Sequence, residues 1–162
     1  MPFARPAFER KIHAPHESAR WAAELARPLV FTNGVFDLLH RGHVTYLSQA
    51  RALGAALLVA LNGDASAHRL GKGAGRPLNP LEDRMALVAA LEAVDAVTWF
   101  DDDTPLVLIE VCQPDVLVKG GDWAVERIAG AAQVLARGGQ AVSIPFEHQR
   151  STTTLLERIR KS

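Results

Sequence analysis

The residues best suited to chemistry are two histidines, His40 and His43, which are separated by Arg41 and Gly42. They follow an apolar run and an Asn-Gly turn, a pattern typical of a buried strand that turns tightly into a helix. Residues three apart share one face of a helix, and the first helical turn presents backbone N–H groups and the positive dipole end. Both imidazoles would then donate hydrogen bonds to a phosphate, and Gly42 would let it approach the backbone. The pattern predicts a triphosphate site without a Walker lysine; the alternative is a helix cap or a surface position for each histidine.

Two further segments carry groups that bind anions. Residues 151–154, Ser-Thr-Thr-Thr, open the last predicted helix, and their hydroxyls and free N–H groups could hold the far end of a triphosphate. The alternative is ordinary N-capping, because Thr154 and Glu157 also fit a capping box. Lys72 lies among glycines in residues 70–77, so this loop could fold over a bound anion as a lid. The alternative is a solvated loop lysine.

Several charged residues fit two interpretations. Arg84 either binds a ligand or makes an ordinary charge pair on a helix surface. Asp37 and Asp64 either stabilise turns and caps or bind sugar hydroxyls. The run Asp101–Asp103 resembles a metal cluster, but it precedes Thr104-Pro105 at a predicted helix start, so we expect it to cap that helix and offset its dipole.

Composition excludes several classes of protein. The chain has 162 residues, 48% of them hydrophobic and 22% charged, so we expect one globular domain. Eighteen basic residues balance eighteen acidic ones, which argues against a nucleic-acid binder. The single cysteine, Cys112, lies in an apolar helical run and is expected to be core filler. The sequence contains neither a membrane-length apolar run nor a secretory signal, which predicts a cytoplasmic protein without membrane partners.

The hydrophobic pattern alternates between strands and helices. Near-continuous apolar runs, typical of strands buried on both faces of a parallel sheet, predict strands over 28–33, 55–61, 95–100, 115–119 and 140–145. Helical periodicity predicts helices over 41–53, 80–92, 104–112, 125–137 and 151–160. Repeated β-α-β units predict an α/β fold with a doubly wound, five-stranded parallel sheet in a single domain over 28–162. Residues 1–27 form an N-terminal extension with a short helix over about 17–26, which would cover the sheet edge or a partner subunit.

Polar and glycine-rich segments follow four of the five strands. The carboxyl ends of parallel strands meet at one sheet edge, where ligands bind at the topological switch point. These segments are residues 32–34, 62–64, 119–122 and 145–153. We therefore predict the functional site at that edge.

These segments resemble a known family. His40-Arg41-Gly42-His43 is similar to the HxGH signature of the nucleotidylyltransferase superfamily, whose members share a Rossmann-like sheet, and 151–153 resembles its C-terminal Ser/Thr motif. Residues 31–34, 36–40, 76–84, 90–95 and 115–122 resemble the adenylyltransferase half of the bifunctional ADP-heptose synthesis enzymes. Three positions depart from the family pattern. This chain has Val35 where the family often has Cys, Gly63 where Ser is common, and Arg150 where a small residue is usual.

The resemblance implies transfer of AMP from ATP to D-glycero-β-D-manno-heptose 1-phosphate. ADP-heptose for the lipopolysaccharide inner core and pyrophosphate would be the products. The sugar phosphate would attack the α-phosphorus in line, with Mg²⁺ carried by ATP and no covalent enzyme intermediate. The resemblance to this family also implies a homodimer. Two alternatives stay open: an enzyme like glycerol-3-phosphate cytidylyltransferase, and a nucleotide-binding sensor without chemistry.

The resemblance also assigns roles to individual residues. The catalytic set is His40, His43 and Lys72. Nucleotide binding is assigned to Thr32, Asn33, Gly34, Phe36, Gly42, Arg84, Gly120, Gly121, Asp122, Ser151, Thr152 and Thr153. Binding of the acceptor is assigned to Asp37, Asn62, Asp64 and Lys119.

Overall fold

The fold is built on a single parallel sheet. The computed structural model describes residues 3–71, 73, 75–148 and 152–161. Its strands are β1 (Leu29–Gly34), β2 (Ala56–Asn62), β3 (Ala96–Phe100), β4 (Val116–Gly120) and β5 (Gln140–Ile144). They are ordered β3-β2-β1-β4-β5, and every neighbouring pair is parallel. The predicted Rossmann-like doubly wound sheet is confirmed, with its switch point between β1 and β4.

Helices connect the strands and cover both faces of the sheet. They are α1 (Ser18–Ala23), α2 (Arg41–Arg51), α3 (Asp64–Arg69), α4 (Leu81–Ala89), α5 (Leu106–Cys112), α6 (Ala131–Ala136) and α7 (Thr152–Lys161). Short 3₁₀ turns occupy Ala7–Lys11, Pro15–Glu17 and Val125–Arg127. Among the described residues, no helix combines the length and apolar character needed to span a membrane.

Alternation along β2 explains why its sequence is continuously apolar. Leu57 and Val59 pack on one face of the sheet with residues of α2 and α4, whereas Leu58 packs on the other face with residues of α1, α5 and α6. All seven residues of β2 are therefore buried. A central strand covered on both faces needs apolar side chains at every position.

The N-terminal extension covers the edge strand β3. Ile12 forms a parallel bridge with Val97, the hydroxyl of Thr98 donates to the carbonyl of His13 at 2.9 Å, and the indole of Trp21 donates to the carbonyl of Ala14 at 2.9 Å. The N–H of His13 also donates to the carbonyl of Val97 at 2.8 Å, so the extension pairs a backbone group that an open sheet edge leaves unpaired. Of the two predicted roles for the extension, the structure places it on the sheet edge.

Three local predictions were wrong. The short helix α3 was missed, because six residues are too few for a clear periodic signal. Asp101–Asp103 do not cap α5, whose N-cap is Pro105 without a side-chain hydrogen bond; the carboxylate of Asp103 instead accepts from Arg69 at 2.8 Å. The helix predicted over 125–137 is interrupted at Gly130, which has a φ of +88° and lies against Ile109, so only Ala131–Ala136 is α-helical.

Candidate active site

A cavity of about 610 Å³ opens at the carboxyl end of the sheet, beside the switch point. It is formed by the loops after β1, β4 and β5, by the residues before α4, and by the start of α7. The residues that line it are Asn33, Gly34, Val35, Phe36, Asp37, His40, His43, Tyr46, Arg76, Lys119, Gly120, Trp123, Phe146, Thr152 and Thr153. The site therefore lies at the sheet edge that the sequence predicted.

The two histidines stack on one wall of this cavity, with ring centroids 3.9 Å apart. His40 has extended backbone and is the N-cap of α2, so the pair forms across the cap and not within the helix. Its Nδ1 accepts from the N–H of Gly42 at 3.1 Å, which leaves Nε2 as the protonated nitrogen of the neutral ring. The His40 cap thus fixes the tautomer that donates a hydrogen bond from Nε2.

The turn after β1 holds a buried aromatic ring against His43. Phe36 has a φ of +49°, and its ring meets that of His43 edge to face at 5.4 Å. A Cβ at Gly34 would lie 2.9 Å from the Phe36 ring, so glycine is needed there. A non-glycine residue in this left-handed region is strained, and such strain often accompanies a functional site.

Asp37 joins this turn to the residues that precede α4. Its buried carboxylate accepts from Arg76 Nε at 2.6 Å, from the N–H of Leu78 at 2.8 Å and from the N–H of Asn79 at 2.9 Å. Burial by itself would raise the pKa of Asp37, but the hydrogen bonds from Asn79 and Leu78 and the charge of Arg76 together hold that pKa below its ordinary value. Asp37 is therefore a carboxylate whose acceptor positions are occupied by protein donors.

Arg84 makes a second buried junction beneath the site. Its guanidinium is fully buried. It donates to four protein oxygens within 3.0 Å, namely the carbonyls of Asn79, Val35 and Asn62 and the carboxylate of Asp64. Arg84 does not line the cavity, because its donors hold together β2, α3 and the loops after β1 and before α4. In this structure Arg84 supports the loops around the cavity, and its contact with nucleotide stays a prediction.

The opposite side of the cavity, at β4 and β5, is aromatic. The indole Nε1 of Trp123 donates to the carbonyl of Gly120 at 3.1 Å, which fixes the ring at the cavity rim. Phe146 stacks edge to face on Tyr46 at 5.6 Å and covers Gly120, where a Cβ would lie 2.8 Å from its ring. Trp123 and Phe146 are each about half exposed, so their faces are accessible to a planar ligand.

Polar groups beneath this aromatic side are tied to the sheet. Tyr46 and Thr32 share a hydrogen bond of 2.5 Å, and burial raises the pKa of Tyr46 to about 12. Tyr46 is therefore a neutral hydroxyl at physiological pH, with no charge to offer a ligand. Lys119 Nζ lies 3.5 Å from the side-chain oxygen of Asn33, which brings its cation to the junction of β1 and β4.

Many of the predicted site residues meet in the cavity. The structure brings together His40, His43, Asn33, Gly34, Phe36, Asp37, Lys119, Gly120, Thr152 and Thr153. Lys72 and Ser151 lie outside the described residues. The specific roles of these residues remain predictions.

Other predicted residues do not reach the cavity wall. The side chain of Thr32 is occupied by Tyr46, that of Asn62 donates to Ser66 at 2.9 Å, and the Asp64 carboxylate bonds Arg84. The N–H of Gly42 donates to His40 Nδ1, and the expected approach of a phosphate to this backbone stays a prediction. The remaining residues in this group are Arg84, Gly121 and Asp122.

Arg76, Trp123 and Phe146 also line the cavity, although they are not among the site residues that the sequence predicts. A signal existed for Trp123, which follows the predicted 119–122 segment directly. Arg76 belongs to the polar loop that follows the second predicted strand, and Phe146 lies in the segment that follows the fifth. The structure also explains the departure at Gly63, where a Cβ would lie 2.0 Å from the carboxylate of Asp101.

The arrangement suits an anionic nucleotide. Imidazole donors, Lys119 and Arg76 supply positive charge and hydrogen-bond donors, and the aromatic rim offers stacking surface for a base. The described residues contain no cluster of three or more side chains suited to holding a metal ion, and Asp37, the carboxylate on the described cavity wall, is occupied by protein donors. Such a site can position a phosphate ester and stabilise charge on phosphoryl oxygens.

Comparisons with known proteins agree with this geometry. A family model described as cytidylyltransferase-like matches residues 31–157. D-beta-D-heptose 1-phosphate adenylyltransferase of Bordetella bronchiseptica is 58% identical over 156 residues, which cover 95% of this chain and 96% of that protein. Bifunctional protein HldE of Hahella chejuensis is 56% identical over 133 residues, but the match covers 28% of its length.

Solved structures support the same fold. The lipopolysaccharide core biosynthesis protein of Thermoplasma volcanium superposes with a TM-score of 0.60 at 26% identity, covering 75% of this chain and 98% of that one. Pantoate-beta-alanine ligase of Francisella tularensis superposes with a TM-score of 0.58 at 13% identity, covering 88% of this chain and 68% of that one. The second likeness is one of fold alone.

Proposed function

Because the chain belongs to the cytidylyltransferase-like family, we propose that it transfers AMP from ATP to D-glycero-β-D-manno-heptose 1-phosphate, releasing pyrophosphate. The observation that carries the choice of substrate is the 58% identity to a heptose 1-phosphate adenylyltransferase over nearly the whole length of both chains. The product, ADP-heptose, would serve lipopolysaccharide inner-core synthesis. The chain spans 28–30% of the bifunctional relatives, so any further activity of those proteins is not part of the proposal.

The reaction needs positioning more than covalent chemistry. A phosphate oxygen of the sugar phosphate attacks the α-phosphorus of ATP, the bond to the bridging oxygen breaks, and pyrophosphate leaves. His40 and His43 donate to phosphoryl oxygens as negative charge develops, and Lys119 adds a fixed positive charge. Their common position on the cavity wall supports these roles.

The ends of the nucleotide have different surroundings in this proposal. The base stacks on Trp123, whose indole is fixed by Gly120. The β- and γ-phosphates are held by Thr152 and Thr153 at the start of α7, together with Ser151. Lys72 approaches the α-phosphate as its loop closes. Mg²⁺ would be supplied with ATP and would offset the negative charge of the triphosphate, without a dedicated protein cage.

Pyrophosphate release tests the proposal directly. Protein is incubated with Mg²⁺ and one of two pairs: ATP with the β-heptose 1-phosphate, or CTP with glycerol 3-phosphate. We expect release only with the first pair, and only when both members are present. Release with the second pair would retain the fold but replace the substrates. ATP binding without release from either pair would identify a sensor.

Two further properties belong to the proposal. We propose that the protein acts in the cytoplasm, where ATP is available, and that it forms a homodimer, as the family resemblance implies. Light scattering coupled to size-exclusion chromatography should give a mass of twice 17.5 kDa. A mass equal to one chain at micromolar concentration would contradict the homodimer.

A further inference from the structure

Arg76 is a mostly buried cation with unused donors. Its side chain is 13% exposed and lines the cavity beside Asp37. Nε donates to the Asp37 carboxylate at 2.6 Å, and the structure gives the two Nη groups no partner among the described residues. An arginine carries five N–H donors, so four donors remain for a ligand.

Arg84 shows what a purely structural arginine looks like in this protein. It is fully buried, lies outside the cavity, and directs Nε and both Nη groups at protein oxygens. Arg76 differs in each respect: it faces the cavity, and only Nε is bonded. Because Arg76 lines the cavity and its Nη groups have no protein partner there among the described residues, this arrangement suits a site in which an anion binds the remaining edge of the guanidinium.

The Asp37 contact orients the free edge of the guanidinium. Because Asp37 is fixed by the N–H groups of Leu78 and Asn79, Nε of Arg76 is held in place and its Nη pair is preorganised. A planar fork of two N–H groups matches two oxygens of a phosphate monoester, which is the geometry that arginine binds best.

The position of Arg76 distinguishes between the two substrates. The aromatic surface suited to a base, Trp123 and Phe146, lies on the β4 and β5 side of the cavity. Arg76 precedes α4, which packs on β2 and β3, so it lies on the other side of β1. The stacked histidines lie at the start of α2, which follows β1 directly. A nucleotide that runs from the aromatic side to the histidines leaves Arg76 facing the second phosphate ester.

We propose that Arg76 binds the phosphate of the sugar-phosphate acceptor and that Asp37 positions it for this contact. The identity of the acceptor rests on the proposed function, but the anion contact does not. Arg76 would hold two non-attacking oxygens and leave the third free to approach the α-phosphorus of ATP.

The test compares Arg76→Gln and Arg76→Lys with a matched control, Arg51→Gln. Arg51 also bonds a carboxylate through Nε, that of Asp95 at 2.8 Å, but it lies at the opposite edge of the sheet. Calorimetry measures binding of the heptose 1-phosphate, and of glucose 1-phosphate as a second phosphate monoester, with a non-hydrolysable ATP analogue present. Steady-state pyrophosphate release gives KM for ATP and for the acceptor separately, and thermal melting checks that each variant is folded.

We expect Arg76→Gln to raise the acceptor Kd and KM by roughly 10–100-fold while the KM for ATP changes less than about twofold. Arg76→Lys keeps the charge without the fork and should fall between Gln and wild type. Arg51→Gln should match wild type. A selective rise in the KM for ATP, or unchanged acceptor binding in a folded Arg76→Gln protein, would overturn the assignment.

The same experiment separates this proposal from the proposed function. Binding of phosphate monoesters that is lost in Arg76→Gln, without pyrophosphate release by wild type, would support Arg76 and refute the adenylyltransferase. Turnover by the wild-type protein, with unchanged acceptor affinity in Arg76→Gln, would support the adenylyltransferase and refute the role of Arg76. A wild-type protein that binds neither monoester would refute both.

Discussion

The stacked histidines are oriented by different contacts. His40 receives the N–H of Gly42 on Nδ1, so its Nε2 is a donor with a fixed direction. His43 lies in the helix between the rings of His40 and Phe36. The aromatic neighbours restrict the orientation of His43. The pair thus supplies preorganised donors, which stabilise developing charge without reorganisation.

Replacing either histidine by alanine should lower kcat by roughly 10²–10³-fold, the effect of losing one preorganised donor to a transition-state oxyanion. The Kd for ATP should change much less, because the donors act as charge builds. Pyrophosphate release and calorimetry measure the two quantities, with His16→Ala, an exposed position, as control. An equal loss in kcat and in ATP affinity would assign the histidines to ground-state binding.

Asp37 makes stability depend on pH in a defined direction. The pKa of Asp37 in the folded protein is below its ordinary value. Its contribution to the free energy of unfolding is therefore complete above about pH 4, the pKa of an unfolded aspartate. That contribution is lost as the pH falls through the lower, folded pKa.

We expect Asp37→Asn to cost roughly 3–5 kcal/mol at pH 7, because it leaves Arg76 without its buried counter-charge. Urea unfolding of both proteins from pH 7 to pH 3 checks this. The difference between their free energies of unfolding should stay constant down to about pH 5 and become smaller below about pH 4. A difference that grows as the pH falls would contradict the direction of the shift.

Trp123 should contribute to nucleotide affinity through its exposed ring face. Trp123→Ala should raise the Kd for ATP by about 5–150-fold, which corresponds to roughly 1–3 kcal/mol of stacking. Trp123→Phe should retain most of the affinity, since it keeps an aromatic face but loses the bond to Gly120. Calorimetric titration with ATP measures both. Unchanged affinity in the alanine variant would place the base elsewhere.

Among the secondary-structure elements, Arg84 on α4 is a junction that holds β2, α3 and two loops in register. Arg84→Ala should destabilise the protein by about 3–5 kcal/mol, since several buried carbonyls lose their donors at once. Arg69→Ala removes an exposed arginine–aspartate pair and should cost less than about 1 kcal/mol.

Urea unfolding measures both arginine variants, and calorimetry at low temperature measures ATP binding by the folded protein. We expect the Kd for ATP of Arg84→Ala to stay within about threefold of wild type. A large loss of ATP affinity without loss of stability would reinstate the nucleotide contact that the sequence predicts for Arg84.

The sequence predicts elements well where burial dictates the pattern. All five strands were placed to within one or two residues, since strands such as β2 are buried on both faces and must be apolar throughout. Prediction failed where an interaction is non-local or an element is short. Gly130, for example, immediately precedes α6 with a φ of +88°, and Ile109 from another helix occupies the space of its Cβ, which the local periodicity over 125–137 does not reveal.

The same distinction holds for the candidate site. The histidine pair was found because its residues are adjacent in sequence. The sequence leaves Asp37 and Arg84 open between a ligand contact and a structural role. Their partners lie 39–42 and up to 49 residues away, so no local pattern shows that these bonds form. Sequence motifs therefore located the site but did not separate the residues that face the cavity from those that support it.

For the whole molecule, topology brings the cations of the candidate site together at one edge of the sheet. Formal charges sum to zero, so no global field attracts a nucleotide. The cations that line the cavity sit at the carboxyl edge of the sheet. Two other depressions lie elsewhere: one of about 480 Å³ at the amino edge includes Arg137 and Arg27, which already donates to Asp115, and one of about 550 Å³ beside α5 includes Trp99 and Val107.

Amide hydrogen exchange with and without MgATP should therefore show protection at one edge only. The cavity-lining turns lie in residues 34–43, 119–123 and 146–148. Where opening of these turns requires release of the ligand, their amides should exchange more slowly by a factor of about 1 + [ATP]/Kd. Residues 113–115 and 137–140, at the amino edge, should be unchanged unless they open only by global unfolding. The His43→Ala variant, which should bind ATP nearly normally, gives the matched control. Protection of the depression at Trp99 and Val107, with none at the carboxyl edge, would show that the nucleotide binds between the N-terminal extension and α5. That result would contradict the assignment of the active site.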